Sequence, residues 1–361
     1  MACRAKHRPR VGVNARPDAP AELPRNIAYW AGEALRERRV QCCGNTVFLP
    51  WVGAAPGMRY VKDMASLGLR SVQMVLPATR TLEGAGFAVR RPFPTRVIEQ
   101  IDPFLLLDEM GPSDHRPGEA RGAPDHPHRG FETVTLLLDG EMEHRDSHGN
   151  AGRLRPGDVQ WMTAGAGVVH SELPAERIVR EGGRMHGFQL WVNLPAGEKW
   201  VRPRYQDLRA AALQVARTED GEGEVWVIAG EALGAAAATR THTPILALDV
   251  KLGPASRLDQ PVPRGWNALA YVFGGRARVG RDRRVVQDGS LAVLAHDGDA
   301  LRLEGDGVPG RVLLLAGEPI REPVVRYGPF VMNTEQEIMQ AIEDYRAGRM
   351  GEIAAEIAPA P

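Results

Sequence analysis

From about residue 70 onward the chain is written in short apolar runs, among them Ser71–Val75, Phe104–Leu107, Glu132–Leu138, Asp158–Met162 and Phe188–Val192. Gly, Pro, Asp and Asn separate them. Short strands split by turn residues predict an all-β chain closed as a sandwich or barrel. Helical spacing is credible only near the C-terminus. There Thr334 and Glu337 stand three apart, the pattern of a capping box. Ile338, Ala341, Ile342 and Tyr345 follow at helical intervals, and Gly348 supplies a stop. This helix is expected to pack rather than to act. Residues 1–63 read differently: Arg, Ala and Pro dominate, and only Ile27–Val40 looks helical. They are expected to be a disordered extension or the product of a start placed too early, with Met64 or Met74 as the initiator. The competing reading is a basic arm that touches nucleic acid or a partner.

The strand pattern occurs twice. The stretch from His126 to Gly140 aligns without a gap on the stretch from Pro261 to Gly275. Arg129-Gly130 falls on Arg264-Gly265, Phe131 on Trp266, and an apolar run on an apolar run. Further on, Pro156-Gly157-Asp158 matches Asp288-Gly289-Ser290, each before another apolar run. Two copies of one β unit is the simplest account.

Composition narrows the class. The 361 residues carry 45 Lys+Arg and 45 Asp+Glu, a formal charge of zero, which argues against direct nucleic-acid binding and against a membrane-surface protein. The 40 Gly and 28 Pro support the turn-rich reading. Three Cys, at 3, 42 and 43, cannot build a disulfide framework and favour a reducing, cytoplasmic setting. The longest apolar candidate, Thr46 to Met58, is broken by Pro50 and Pro56, so no span of the roughly 20 residues a bilayer requires is present. No compact apolar stretch follows the early basic residues, so a secretory signal is not expected.

The candidate chemistry lies in the first copy. His126 and His128 are two apart, so on an extended strand both rings point to one face. His170 and Glu172 repeat that spacing behind the glycine turn Gly165-Ala166-Gly167. Three imidazoles and one carboxylate fill four positions of an octahedron and leave two open. Such a set suits Fe(II), Mn, Ni or Cu more than Ca or Mg, and differs from a closed Cys-rich structural zinc site. In the second copy Pro261 and Pro263 replace the histidine pair, leaving His242 and His296 unpaired, so that unit is expected to be metal-free. If parity continues past Gly130, Glu132 also looks inward, as a gatekeeper rather than a ligand. His144 and His148 sit in a polar turn and are expected to face solvent. His186 is a candidate hydrogen-bonding neighbour in the same cavity, and Phe131, Trp161 and Trp191 are expected to be core before pocket wall.

Ile101–Glu109, His126–Thr133, Gly157–Gly165, Val169–Glu172, His186–Leu194 and Tyr327–Thr334 together resemble the pirin family over about Ser71 to Met350. The resemblance implies two tandem cupin barrels, jelly-roll-like, with a short C-terminal helix. The expected boundaries are an N-terminal metal-binding cupin over 64–195, a connection over 196–243, and a metal-free cupin with the helix over 244–361. It also implies one metal, usually iron as Fe(II), with Mn, Ni, Cu or Zn as alternatives. The family's ligands carry over onto His126, His128, His170 and Glu172, the four reached by spacing. Some members show quercetin 2,3-dioxygenase activity, which would make Glu172 the catalytic base toward a flavonol-like substrate. Others are redox-sensitive transcription co-regulators or bind metabolic enzymes, so the alternative is a metal-gated module with a protein partner and no turnover.

Overall fold

The computed structural model describes residues 67–354. The expectations for residues 1–63, including the Ile27–Val40 helix and the cysteine pair, lie outside them. The described chain is mostly strand, with two α-helices, α1 (Glu176–Glu181) and α2 (Glu335–Arg346).

The first barrel closes a seven-stranded sheet over a four-stranded one. The large sheet runs Arg204–Leu208, Val159–Thr163, Phe131–Asp139, Gly183–Asn193, Phe104–His115, Phe87–Phe93, Thr79–Glu83. The small sheet runs Ala123–His128, Val168–Pro174, Met142–Asp146, Ala151–Leu154. The second barrel is one continuous nine-stranded sheet. It curls on two long strands, Asn267–Val279 and Ala300–Gly317, whose pairing is interrupted at Val272/Gly274 and Gly275/Ala277. Such bulges bend a strand so that it can serve both walls of a barrel. Gly275 sits at one bend with φ +62°, and a side chain there would strike the Pro309 carbonyl.

The repeat is visible in the pairing. Phe131–Asp139 lies between Val159–Thr163 and Gly183–Asn193, as Asn267–Val279 lies between Ser290–Leu294 and Ala300–Gly317. Each barrel also takes an edge strand from just before the other's first hairpin. Val72–Pro77 pairs with Ser290–Leu294 of the second barrel, and Arg204–Leu208 with Val159–Thr163 of the first. Sheet membership therefore crosses the expected boundaries: residues 72–77 join the second barrel, and so do Gln214–Arg217 and Glu224–Ala229 from the expected connection. The apolar pattern marks a strand but not which sheet edge will accept it.

The barrels pack face to face. Val134, Leu136, Trp161, Phe188 and Leu190 of the first meet Ala247, Leu269, Tyr271, Leu313 and Leu315 of the second in one buried cluster. Within it sits Glu109, fully buried, accepting bonds from Arg90 (2.6 Å) and from the Tyr271 hydroxyl (2.6 Å), with His186 Nε2 at 2.9 Å. A buried carboxylate needs every such partner. Tyr271→Phe removes one donor and is expected to cost about 1–3 kcal/mol in urea unfolding. An unchanged midpoint would show that the seam does not depend on this bond.

The two interiors differ. Leu248, Val250, Ala268, Ala270, Val272, Leu301, Val312 and Leu314 fill the second with aliphatic side chains. The first turns Thr133, Thr135 and Gln189 inward among apolar neighbours. After the second barrel the chain returns to the first: Phe330, Met332, Ile338, Ala341, Ile342 and Met350 pack with Val169. Helix α2 begins with the expected capping box, Thr334 accepting from Glu337 N, and Gly348 follows its end at φ +71°.

Candidate metal centre

Two strands of the small sheet build the centre. Ala123–His128 carries His126 and His128 on one face, and Val168–Pro174 lies antiparallel beside it with His170 directly opposite His126. Cross-strand neighbours lie close enough for their side chains to meet, which joins histidines far apart in sequence. The ring centroids are 4.7 Å (His126–His128), 4.4 Å (His126–His170) and 5.0 Å (His128–His170) apart. All three are buried, and one ring nitrogen from each lies within 4.8 Å of the others.

The hydrogen bonds fix which nitrogen faces inward. His126 Nδ1 lies 2.7 Å from the Pro124 carbonyl oxygen, and His128 Nδ1 lies 3.4 Å from that of Pro329. A carbonyl only accepts, so the N–H sits on Nδ1 and the lone pair on Nε2. The two Nε2 atoms are 3.1 Å apart. Neither then has a proton to offer the other, and a cation between convergent lone pairs resolves the clash. Both nitrogens of His170 are buried and make no hydrogen bond among the described residues. Burial, reinforced by the neighbouring imidazoles, lowers His126 to about 3 and His128 well below its usual value; burial first, then His144, lowers His170 to about 3. The rings are held neutral, the form that ligates. Backbone carbonyls orienting imidazoles from behind are the usual support of a metal site. The donor set therefore fits a transition metal better than a hard, oxygen-seeking cation.

Glu172 stands beside this group rather than within it. The pairing slips after His170, so Glu172 faces Ala123. Its Oε1 accepts from Thr135 Oγ1 (2.7 Å) and its Oε2 from Gln189 Nε2 (2.8 Å). Thr135 Oγ1 is also 2.7 Å from Gln189 Oε1, so one hydroxyl proton serves two acceptors. Glu172, Gln189 and Trp191 border a cavity of about 140 Å³ whose other walls include Leu106, Met110, Leu137, Met142 and Met185. Trp191 also reaches the histidines, 5.2 Å from the His128 ring and 4.4 Å from Phe131. One apolar chamber thus meets the imidazoles across Trp191 and the carboxylate.

Several sequence expectations need correction. Glu132 does not look inward. Gly130, at φ +88°, turns the chain from the small sheet into the large one and resets the alternation. Glu132 is buried on the other side of its strand, accepting from Thr163 Oγ1 (2.7 Å). His144 is not exposed: it stacks on Tyr205 (4.9 Å) and meets Gln160 Nε2 at 2.8 Å. His148 is exposed as expected. His186 borders the cavity, but its ring lies in the seam with Glu109 and Phe273. Trp161 is core, whereas Trp191 is wall. His242 pairs with Glu198 and His296 with Asn267, each away from the other.

Family models match both halves: Pirin over residues 86–192 and the Pirin C-terminal cupin domain over residues 247–351. Human Pirin is 45% identical over 273 residues, covering 74% of this chain and 90% of its own. The chain belongs to the pirin family. A pirin-like protein of Caulobacter vibrioides is 42% identical over 288 residues, 78% of this chain and 99% of its own. Among solved structures, a quercetin 2,3-dioxygenase from Acinetobacter baumannii superposes with a TM-score of 0.75 at 37% identity, covering 80% of this chain and 100% of that one. An Escherichia coli pirin solved in complex with nickel(II) shares the fold at a TM-score of 0.51 and 19% identity, over 70% of this chain and 99% of that one. In this pirin, as its kinship implies, the fold is a pair of cupin barrels. Among the described residues no helix is long and apolar enough to cross a membrane.

Sequence reasoning did not find Thr135, Gln189 or the Pro329 carbonyl. Thr135 and Gln189 do face inward by parity with Phe131 and Trp191, and that signal was available. Pro329 lies 201 residues from the ring it supports, and no local pattern announces it.

Proposed function

We propose that this pirin is a metal-dependent dioxygenase of the quercetin 2,3-dioxygenase type. Fe(II) would be held by His126, His128 and His170, with Glu172 beside them as the carboxylate of the site. The observation that carries the reading is the shared wall: buried, neutral, convergent imidazoles abut an apolar cavity across Trp191 and Glu172. The likeness to the Acinetobacter baumannii quercetin 2,3-dioxygenase supports it. The bound metal supplies a Lewis acid and an orienting point for an enolic oxygen.

The chain's own residues do the rest. Leu106, Met110, Leu137, Met142 and Trp191 enclose a flat aromatic substrate and exclude water. Glu172 takes the proton of the substrate hydroxyl at a carboxylate oxygen, and Thr135 and Gln189 keep it aimed while it does so. A flavonol meets these demands, being planar, largely apolar, and acidic at a hydroxyl next to a carbonyl.

The test is oxygen uptake by iron-loaded protein with quercetin. Wild type is expected to consume oxygen, His128→Ala to fall to background, and Glu172→Gln to keep part of its metal while losing turnover by about 10²-fold or more. Tight metal binding with no uptake would defeat the enzyme reading and leave a metal-gated interaction module in its place.

A further inference from the structure

Arg129-Gly130 is the most conspicuous element of the internal repeat, and the proposed reaction does not use it. In the second copy it is slack: Arg264 is 62% exposed along its side chain, and nothing lies near the Cβ position of Gly265. In the first copy it follows His128 directly and is held on every side. Arg129 Nε donates to the Ala166 carbonyl (2.6 Å) and its Nη1 to Asp344 of helix α2 (2.6 Å). Its carbonyl accepts from Val331 N (3.0 Å). A side chain at Gly130 would strike the Val331 carbonyl, so the C-terminal tail is pressed directly onto the turn.

Beneath this contact lies Lys199, with no exposed surface. Its Nζ donates to the Gly130 carbonyl (2.7 Å), Asn193 Oδ1 (2.7 Å) and the Val331 carbonyl (3.0 Å). Three N–H donors meet three uncharged acceptors, and no carboxylate is among them. Only four of the 45 basic residues are lysine, so a lysine here stands out against the chain's habit. The geometry explains it: a planar guanidinium cannot send three bonds from one atom to three converging oxygens. The three oxygens belong to the histidine turn, the central strand of the large sheet, and the tail strand Phe330–Met332. The tail residue next to that strand, Pro329, supplies the carbonyl facing His128 Nδ1.

We propose that Lys199 is a positioning residue of the metal centre: by joining the carbonyls of Gly130 and Val331 it seats the C-terminal tail, and the seated tail sets the ring of His128. This rests on reading the three imidazoles as a metal site. Metal binding and tail seating are then reciprocally coupled, because each favours the same arrangement of His128.

Two variants and two readouts test it. Lys199→Met keeps the bulk and removes the three donors; Asp344→Asn loosens the tail from Arg129 without touching the buried lysine. Cobalt(II) titration followed by visible absorption reads affinity and ligand geometry. Hydrogen exchange over residues 325–350, with and without cobalt, reads the tail. Wild type is expected to bind cobalt and to gain protection in the tail. Lys199→Met is expected to bind about tenfold or more weakly, with an altered spectrum and no metal-linked protection; Lys199→Arg should not rescue it. Asp344→Asn should shift both readouts the same way, to a smaller degree, and Lys199→Arg stands in should Lys199→Met fail to fold. Failure of the wild type to bind cobalt would remove the metal site itself. Wild-type binding, with both readouts unchanged in whichever Lys199 variant folds, would leave the site standing and overturn the role of Lys199.

Discussion

A His170→Leu chain is expected to lose stoichiometric metal and yet to be no less stable than the wild type when both are metal-free. The two halves come from the same observation. His170 is buried with both ring nitrogens unbonded. A neutral imidazole carries one donor and one acceptor there, and leaving such groups unmet costs about 1–3 kcal/mol. Leucine has a similar bulk and no polar atom, so it removes that cost. The expected change in urea unfolding of the metal-free protein runs from zero to about 2 kcal/mol in the variant's favour. Removing one of three convergent nitrogens, by contrast, should bring bound metal below detection by elemental analysis. His242→Ala, which breaks a pair with Glu198 away from the centre, should leave the metal content unchanged. Retained metal in His170→Leu would end the assignment of the site. A metal-free variant weaker than wild type by more than about 2 kcal/mol would show that the ring is held by something other than an ion.

This trade of stability for a ready site divides the two barrels. They share strand order, yet one interior is closed by aliphatic side chains and the other keeps a chamber with polar groups turned into it. The replacement of His126 and His128 by Pro261 and Pro263 marks that difference in the sequence. Proline neither ligates nor donates a backbone hydrogen bond. Pro261 ends the second barrel's equivalent strand, Arg257–Pro261.

What could be read from the chain follows the range of the physics involved. The shared face of His126 and His128 was legible because side-chain parity on a strand is local and strict. The same rule failed for Glu132 only because it was carried across Gly130, where a positive φ moves the chain to another sheet. Ser71–Val75 was legible as a strand, but its partner lies more than 200 residues away at Ser290–Leu294, and no local pattern names it. His144 looked solvated among Glu143, Arg145 and Asp146, since nothing nearby predicts that Tyr205 will cover it. The offset of Glu172 from the imidazoles depends on a slip in pairing, which apolar alternation does not encode. The α2 capping box and its glycine stop were legible in full, being determined within a few residues.

Acid is expected to destabilise the metal-free protein progressively as the pH falls from about 6.5 toward 3, and less steeply in His170→Leu. Burial is the first cause of each depressed imidazole, so in the folded chain His126 and His170 stay neutral down to about 3 and His128 well below its usual range. Unfolded, each ring takes a proton near the ordinary imidazole value of 6.5. Between those limits the unfolded chain binds protons that the folded chain does not, so stability rises with pH across the window and is flat, for these groups, above it. Three rings contribute with the same sign. His170→Leu removes one of them, so the gap between variant and wild type should widen in the variant's favour as the pH drops. Metal binding has the complementary expectation. Rings that are already neutral have no proton to shed, so affinity should lack the fall below pH 6.5 that a solvent-exposed histidine pair would show. Urea unfolding at a series of pH values, with cobalt titrations at the same points, checks both. Parallel pH profiles for the two chains, or a metal affinity that collapses near 6.5, would mean that the imidazoles are solvated in the folded protein and that the enclosed centre is not formed.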